Sequence, residues 1–140
     1  MKINSSIKYN IHNCLKTKNL HLTTSVIVII IISLVYGLSP GNFLPTLFDF
    51  IVDNINLKQV FRATMGLYLA MDVLWCIGIF KSAFWRTATI SNVFFMCGLA
   101  AGRIISLLAD GIPSIFFCAG LAVELILAFW GIINLKKYRS

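Results

Sequence analysis

The sequence predicts an all-α fold, a transmembrane four-helix bundle with both termini in the cytoplasm. Composition is the first reason: of 140 residues, 59% are hydrophobic and 12% charged, where soluble proteins carry roughly 25% charged residues. A chain this short has too much surface for its volume to hide that apolar excess from water. The second reason is length, since the apolar residues fall into four runs of the ~20 residues that a ~30 Å hydrocarbon core requires of a helix. The third is charge placement, with most Lys and Arg outside the runs and on one side of the predicted membrane.

Residues 1–21 are polar and basic and read as a mobile or interfacial cytoplasmic segment. The first span is expected over 22–39 and holds the block Val26-Ile27-Val28-Ile29-Ile30-Ile31-Ile32. β-Branching disfavours helix in water, but in lipid a single span must satisfy its own backbone, which leaves helix. The long basic lead, and the poor cleavage site at Val35-Tyr36-Gly37, favour an uncleaved span over a signal peptide. Residues 40–58 form a loop, apolar with two acids, that suits a short helix in the membrane interface. The remaining spans are expected over 60–80, 87–109 and 114–135, with a basic cytoplasmic tail at 136–140. Short connections between the last three spans favour antiparallel neighbours. Trp75, Trp85, Trp130 and Tyr138 lie toward one set of span ends, as an aromatic belt does.

The orientation rests on a census of cations. Lys2, Lys8, Lys16 and Lys18 precede the first span, Lys81 and Arg86 flank the middle loop, and Lys136, Lys137 and Arg139 close the chain. The first loop holds only Lys58, and the 110–113 turn holds none. The positive-inside rule therefore puts both termini in the cytoplasm. The net charge of +7 does not imply nucleic acid, because no basic stripe interleaves with exposed aromatics. Cys14, Cys76, Cys97 and Cys118 form no C-x-x-C pair, and His12 and His21 in the basic segment stand at no metal-ligand spacing. No metal site, disulfide framework or cofactor is expected.

The informative residues are charges inside the spans. Arg62 and Asp72 lie on the second span, Arg103 and the terminating Asp110 on the third, and Glu124 near the middle of the fourth. A lone charge at such depth costs at least ~2.5–3.5 kcal/mol, so these groups are expected to face the interior and pair. Two arginines can offset Asp72 and Glu124. At about 100° per residue, Asn92, Arg103, Ser106 and Asp110 share one face of the third span. Gly120, Ala128 and Gly131 share the Glu124 face, and Met65, Tyr68 and Cys76 share that of Asp72. Arg62 is rotated away and must swing to join, or it snorkels to the headgroups. The Gly98-x-x-x-Gly102 step fits packing inside the bundle more simply than a homodimer. Asp110-Gly111-Ile112-Pro113-Ser114 reads as a turn, with Gly111 at positive φ and Pro113 and Ser114 starting the fourth helix.

Two stretches resemble a family. Arg62-Ala63-x-x-Gly66-Leu67-Tyr68-Leu69-Ala70 is similar to a motif of the bacterial membrane proteins grouped as domain of unknown function 4345. So is Gly102-Arg103-x-x-Ser106-x-x-x-Asp110-Gly111-x-Pro113, with Glu124 following. The resemblance covers about residues 22–136. It implies a small four-helix protein of the bacterial inner membrane and carries no activity. Asp72 departs from it, since a small or apolar residue is expected there.

Four functions compete. The first is a binding module, with Arg62 and Arg103 holding an anionic or carbonyl-bearing lipophilic ligand, because arginine stays charged and presents a planar fork of donors. The second is an accessory subunit of a membrane complex, a homo-oligomer or hetero-complex, in which the charges only clasp helices. An enzyme, with Glu124 or Asp72 as general acid or base and an arginine stabilising developing negative charge, ranks lower: no nucleophile–base pair, metal motif or cofactor motif supports it, and no catalytic residue is assigned. A proton-coupled transporter that uses Glu124 ranks lowest. Besides a lipophilic ligand, the partners expected are membrane lipids.

Overall fold

The computed structural model describes the backbone of residues 5–48 and 51–138, and side chains from Thr17 onward. The expectations that touch Lys2, Lys8, His12, Cys14, Lys16, Asp49 and Arg139 lie outside those side chains. The described elements are α1 (Ser5–Gly37), α2 (Pro40–Phe48), α3 (Ile55–Phe80), a 3₁₀ turn at Ser82–Phe84, α4 (Trp85–Asp110) and α5 (Ile115–Lys137). Four segments are long and apolar enough to cross a membrane: Thr17–Gly37, Ile55–Phe80, Ser82–Asp110 and Ile115–Lys137. The fold is thus the all-α bundle with four membrane-spanning helices. Large apolar side chains such as Ile31, Leu67, Phe80, Phe94, Leu108 and Phe129 stay exposed, which suits contact with lipid tails and not with water.

Helix α1 departs from the expected boundary. It begins at Ser5 and runs unbroken through residues read as a separate basic segment. No Gly or Pro precedes Gly37 to stop it, and Thr23 and Thr24 donate back to the Asn19 and Leu20 carbonyls at 3.1 and 2.9 Å. The 40–58 stretch contains α2, whose Leu44 is fully buried, and the first turn of α3. Asn54 caps α3 by accepting from the Asn56 amide at 2.7 Å, which satisfies one of the orphan donors of a helix start. Gly111 ends α4 at φ 98°, a conformation a side chain would strain.

Helix α1 packs most extensively on α3, and α4 on α5, with α3 also against α4. The α1–α3 pair is antiparallel: the Asn19 side chain donates to the Ile79 carbonyl at 3.1 Å, and at the other end Gly37 abuts Met65. Gly78 lets α3 meet α4 so closely that a Cβ there would overlap Ala88. Two aromatics expected in a headgroup belt are instead core residues. Trp75 is fully buried and donates to Ser91 Oγ at 3.2 Å, while Trp85 is buried edge-on to Tyr138. The Trp75 indole thus has its acceptor inside the bundle, whereas the Trp85 N–H is buried with no partner among the described residues.

Candidate functional site

Arg103 and Glu124 meet. Arg103 Nε donates to Glu124 Oε1 at 2.8 Å, joining α4 to α5. The side chains are 20% and 6% exposed, so the pair is largely removed from solvent, where a charge-assisted bond is strongest. Gly120 makes this possible. A Cβ at that position would stand 3.4 Å from Arg103 Cζ and one terminal nitrogen, so the bare helix surface one turn from Glu124 gives the guanidinium its bed. The Phe117 ring lies 5.4 Å from Arg103 Cζ, within cation–π range. The Tyr36 hydroxyl flanks the same guanidinium from α1.

On one side of Arg103 lies a cavity of about 460 Å³, lined by Tyr68, Gly98, Leu99, Gly102, Ser106, Leu107, Pro113, Phe117, Cys118 and Leu121 besides Arg103 itself. A smaller cavity of about 250 Å³, bordered by Tyr36, Met96, Gly120 and Glu124, lies against it too. Tyr68 is buried between Tyr36 and Phe95, with ring centroids 6.2 and 5.1 Å away. Ser106 is exposed and donates to Asp110 Oδ2 at 2.9 Å, which leaves its oxygen an acceptor toward the cavity. Gly98 and Gly102 have nothing within 4 Å of where a Cβ would stand. The expectation that this glycine step packs inside the bundle is therefore corrected: both residues are exposed and line the cavity.

The other expected members are elsewhere. Arg62 is exposed, with no partner among the described residues, and does not line the cavity. Asp72 is buried at 3% exposure, and neither carboxyl oxygen has a partner among the described residues. It borders a separate apolar groove between α1 and α3, with Ile30, Leu69, Cys76 and Lys81. The structure brings Tyr68, Arg103, Ser106, Asp110, Pro113 and Glu124 to one region and leaves Arg62 and Asp72 out. Among the described residues no three His, Cys, Asp or Glu side chains gather as metal ligands.

Two residues escaped the sequence reading. Tyr36 entered it only as part of a cleavage site. His21, assigned to the basic segment, is fully buried, with Nε2 2.9 Å from the Leu127 carbonyl. A carbonyl only accepts, so Nε2 carries the proton. Gly131 makes room for the ring, since a Cβ there would stand 3.0 Å from His21 Cε1 and overlap Val93. The signal was the helical spacing His21–Ser25–Ile29–Ser33–Tyr36, a face that the break placed after residue 21 hid.

A family model described as Domain of unknown function (DUF4345) matches residues 17–135. No curated protein and no solved structure matches the chain.

Proposed function

The chain belongs to the domain of unknown function 4345 family, and from that premise we propose that it is a membrane binding protein. Its Arg103 cavity takes a lipophilic molecule with a hydrogen-bond-accepting head. The observation that carries this reading is the position of Arg103, which anchors Nε on Glu124 and also lines a cavity of about 460 Å³. That volume falls in the range of small-molecule sites, and mostly apolar walls with a few convergent polar groups are their usual chemistry. With Nε engaged, the outer nitrogens of the fork are the groups that would meet a ligand.

The charge census supports placing both termini in the cytoplasm, and the resemblance to bacterial proteins supports the bacterial inner membrane. The cavity, near the Asp110 end of α4, then opens toward the outer leaflet. Membrane lipids are the surrounding partners, and nucleic acid is not one. A second reading has the pair at 2.8 Å acting only as a clasp between α4 and α5 in an accessory subunit.

Native mass spectrometry of the purified protein, wild type against Arg103→Ala and Glu124→Gln, separates the two. The binding reading expects a discrete bound mass that both variants lose. The clasp reading expects no bound mass and two less stable variants.

A further inference from the structure

We propose that the Arg103 cavity selects neutral, carbonyl-bearing lipids such as esters or ketones, and rejects anionic amphiphiles; this rests on the binding reading above. Arg103 is the only cation among the cavity's lining residues, and its charge is already met by Glu124 at 2.8 Å. A second carboxylate, Asp110, is one hydrogen bond from the rim through Ser106, at 2.9 Å. The formal charge at the site is therefore one negative, from one guanidinium and two carboxylates. Arg62 is the next cation on the α3 side, but it is exposed and lines no part of this space.

An anionic head entering here would leave water or the headgroup layer for apolar walls without an unpaired cation to receive it. Burying an unpaired ion is the most costly transfer a binding site can require, whereas a carbonyl needs only a donor. Donors are present in the outer nitrogens of Arg103 and the Tyr68 hydroxyl. Tyr68 is buried and lines the cavity. Ser106 has its proton committed to Asp110 and so offers no donor to either kind of head.

The test titrates methyl palmitate and hexadecanesulfonate, one neutral and one permanently anionic, into delipidated protein in a non-ionic detergent and reads both by native mass spectrometry. The expected result is saturable binding of the ester, at least about tenfold tighter than the sulfonate. In Asp110→Asn, which removes one negative charge from an exposed position, the gap is expected to narrow through tighter sulfonate binding. Sulfonate binding as tightly as the ester, or tighter, would overturn the selectivity and leave the binding reading standing. Saturable binding of neither probe, in protein that melts cooperatively, would overturn both. Gly102→Leu guards against detergent artefacts. It fills the cavity from an open position, and retained ester binding in that variant would place the ester elsewhere and overturn the inference.

Discussion

Two carboxyl groups lie deep in this bundle, and their surroundings differ. Glu124 on α5 receives Arg103 at 2.8 Å, beside a cavity and a glycine that seats the guanidinium. Asp72 on α3 is just as buried and has no partner among the described residues. The comparison teaches that depth alone does not make a site. A carboxyl becomes part of one when a neighbouring helix brings a cation and the backbone leaves room for it. Asp72 has neither: Arg62 on its own helix is exposed, and Lys81, which borders the same groove, makes no ion pair with it.

Stranding Glu124 and removing Asp72 should therefore change stability in opposite directions. The largest effect is expected for Arg103→Ala, which strands Glu124. Breaking a buried pair costs about 3–5 kcal/mol, with the lower end expected because Arg103 is one-fifth exposed. A lowered midpoint of thermal unfolding in detergent, largely restored by Arg103→Met with Glu124→Met, checks it. Asp72→Leu is expected to stabilise, by about 1–3 kcal/mol, because it removes a buried acceptor that finds no donor. A drop in melting temperature there would mean that Asp72 has a partner in the membrane.

Packing should respond next. Gly131→Ala puts a methyl into Val93 and against the His21 ring, and overpacking of this kind costs about 1–3 kcal/mol. His21→Leu removes the bond to the Leu127 carbonyl and is expected to cost about 1 kcal/mol. Smallest of all, Ser106→Ala deletes an exposed hydrogen bond to Asp110 and should leave melting unchanged while altering ligand preference.

Much of this was legible in the chain because lipid imposes simple rules. A spanning helix needs length and apolarity, and both are read residue by residue, so the four spans were located to within a few residues at most ends. The same ground, that lone charges in hydrocarbon are costly, pointed to the Arg103–Glu124 pair, but it also called for a partner to Asp72, which has none among the described residues. Where the rules compete, the reading failed. Lys16 and Lys18 suggested a break before the first span, but α1 runs unbroken from Ser5 to Gly37 and His21 lies in the core with it. Trp75 and Trp85 carried a belt signature, yet the fold buries both, Trp75 with Ser91 as its acceptor and Trp85 against the Tyr138 ring. Glycines look alike in a sequence: Gly120 and Gly131 seat side chains, whereas Gly98 and Gly102 open onto a cavity.

The central claim, that this cavity is a binding site and not a packing gap, is tested most directly by Gly102→Leu. Gly102 lies in open space on the cavity wall, so leucine should leave the fold intact, and leucine favours helix over glycine by roughly 0.5–1 kcal/mol. The measurement is thermal unfolding of wild type and Gly102→Leu, each with and without methyl palmitate. The account predicts a ligand-induced rise in melting temperature for the wild type and none for the variant, with the ligand-free variant at least as stable. An equal rise in both would contradict it and move the ligand, if not the function, to another face of the bundle.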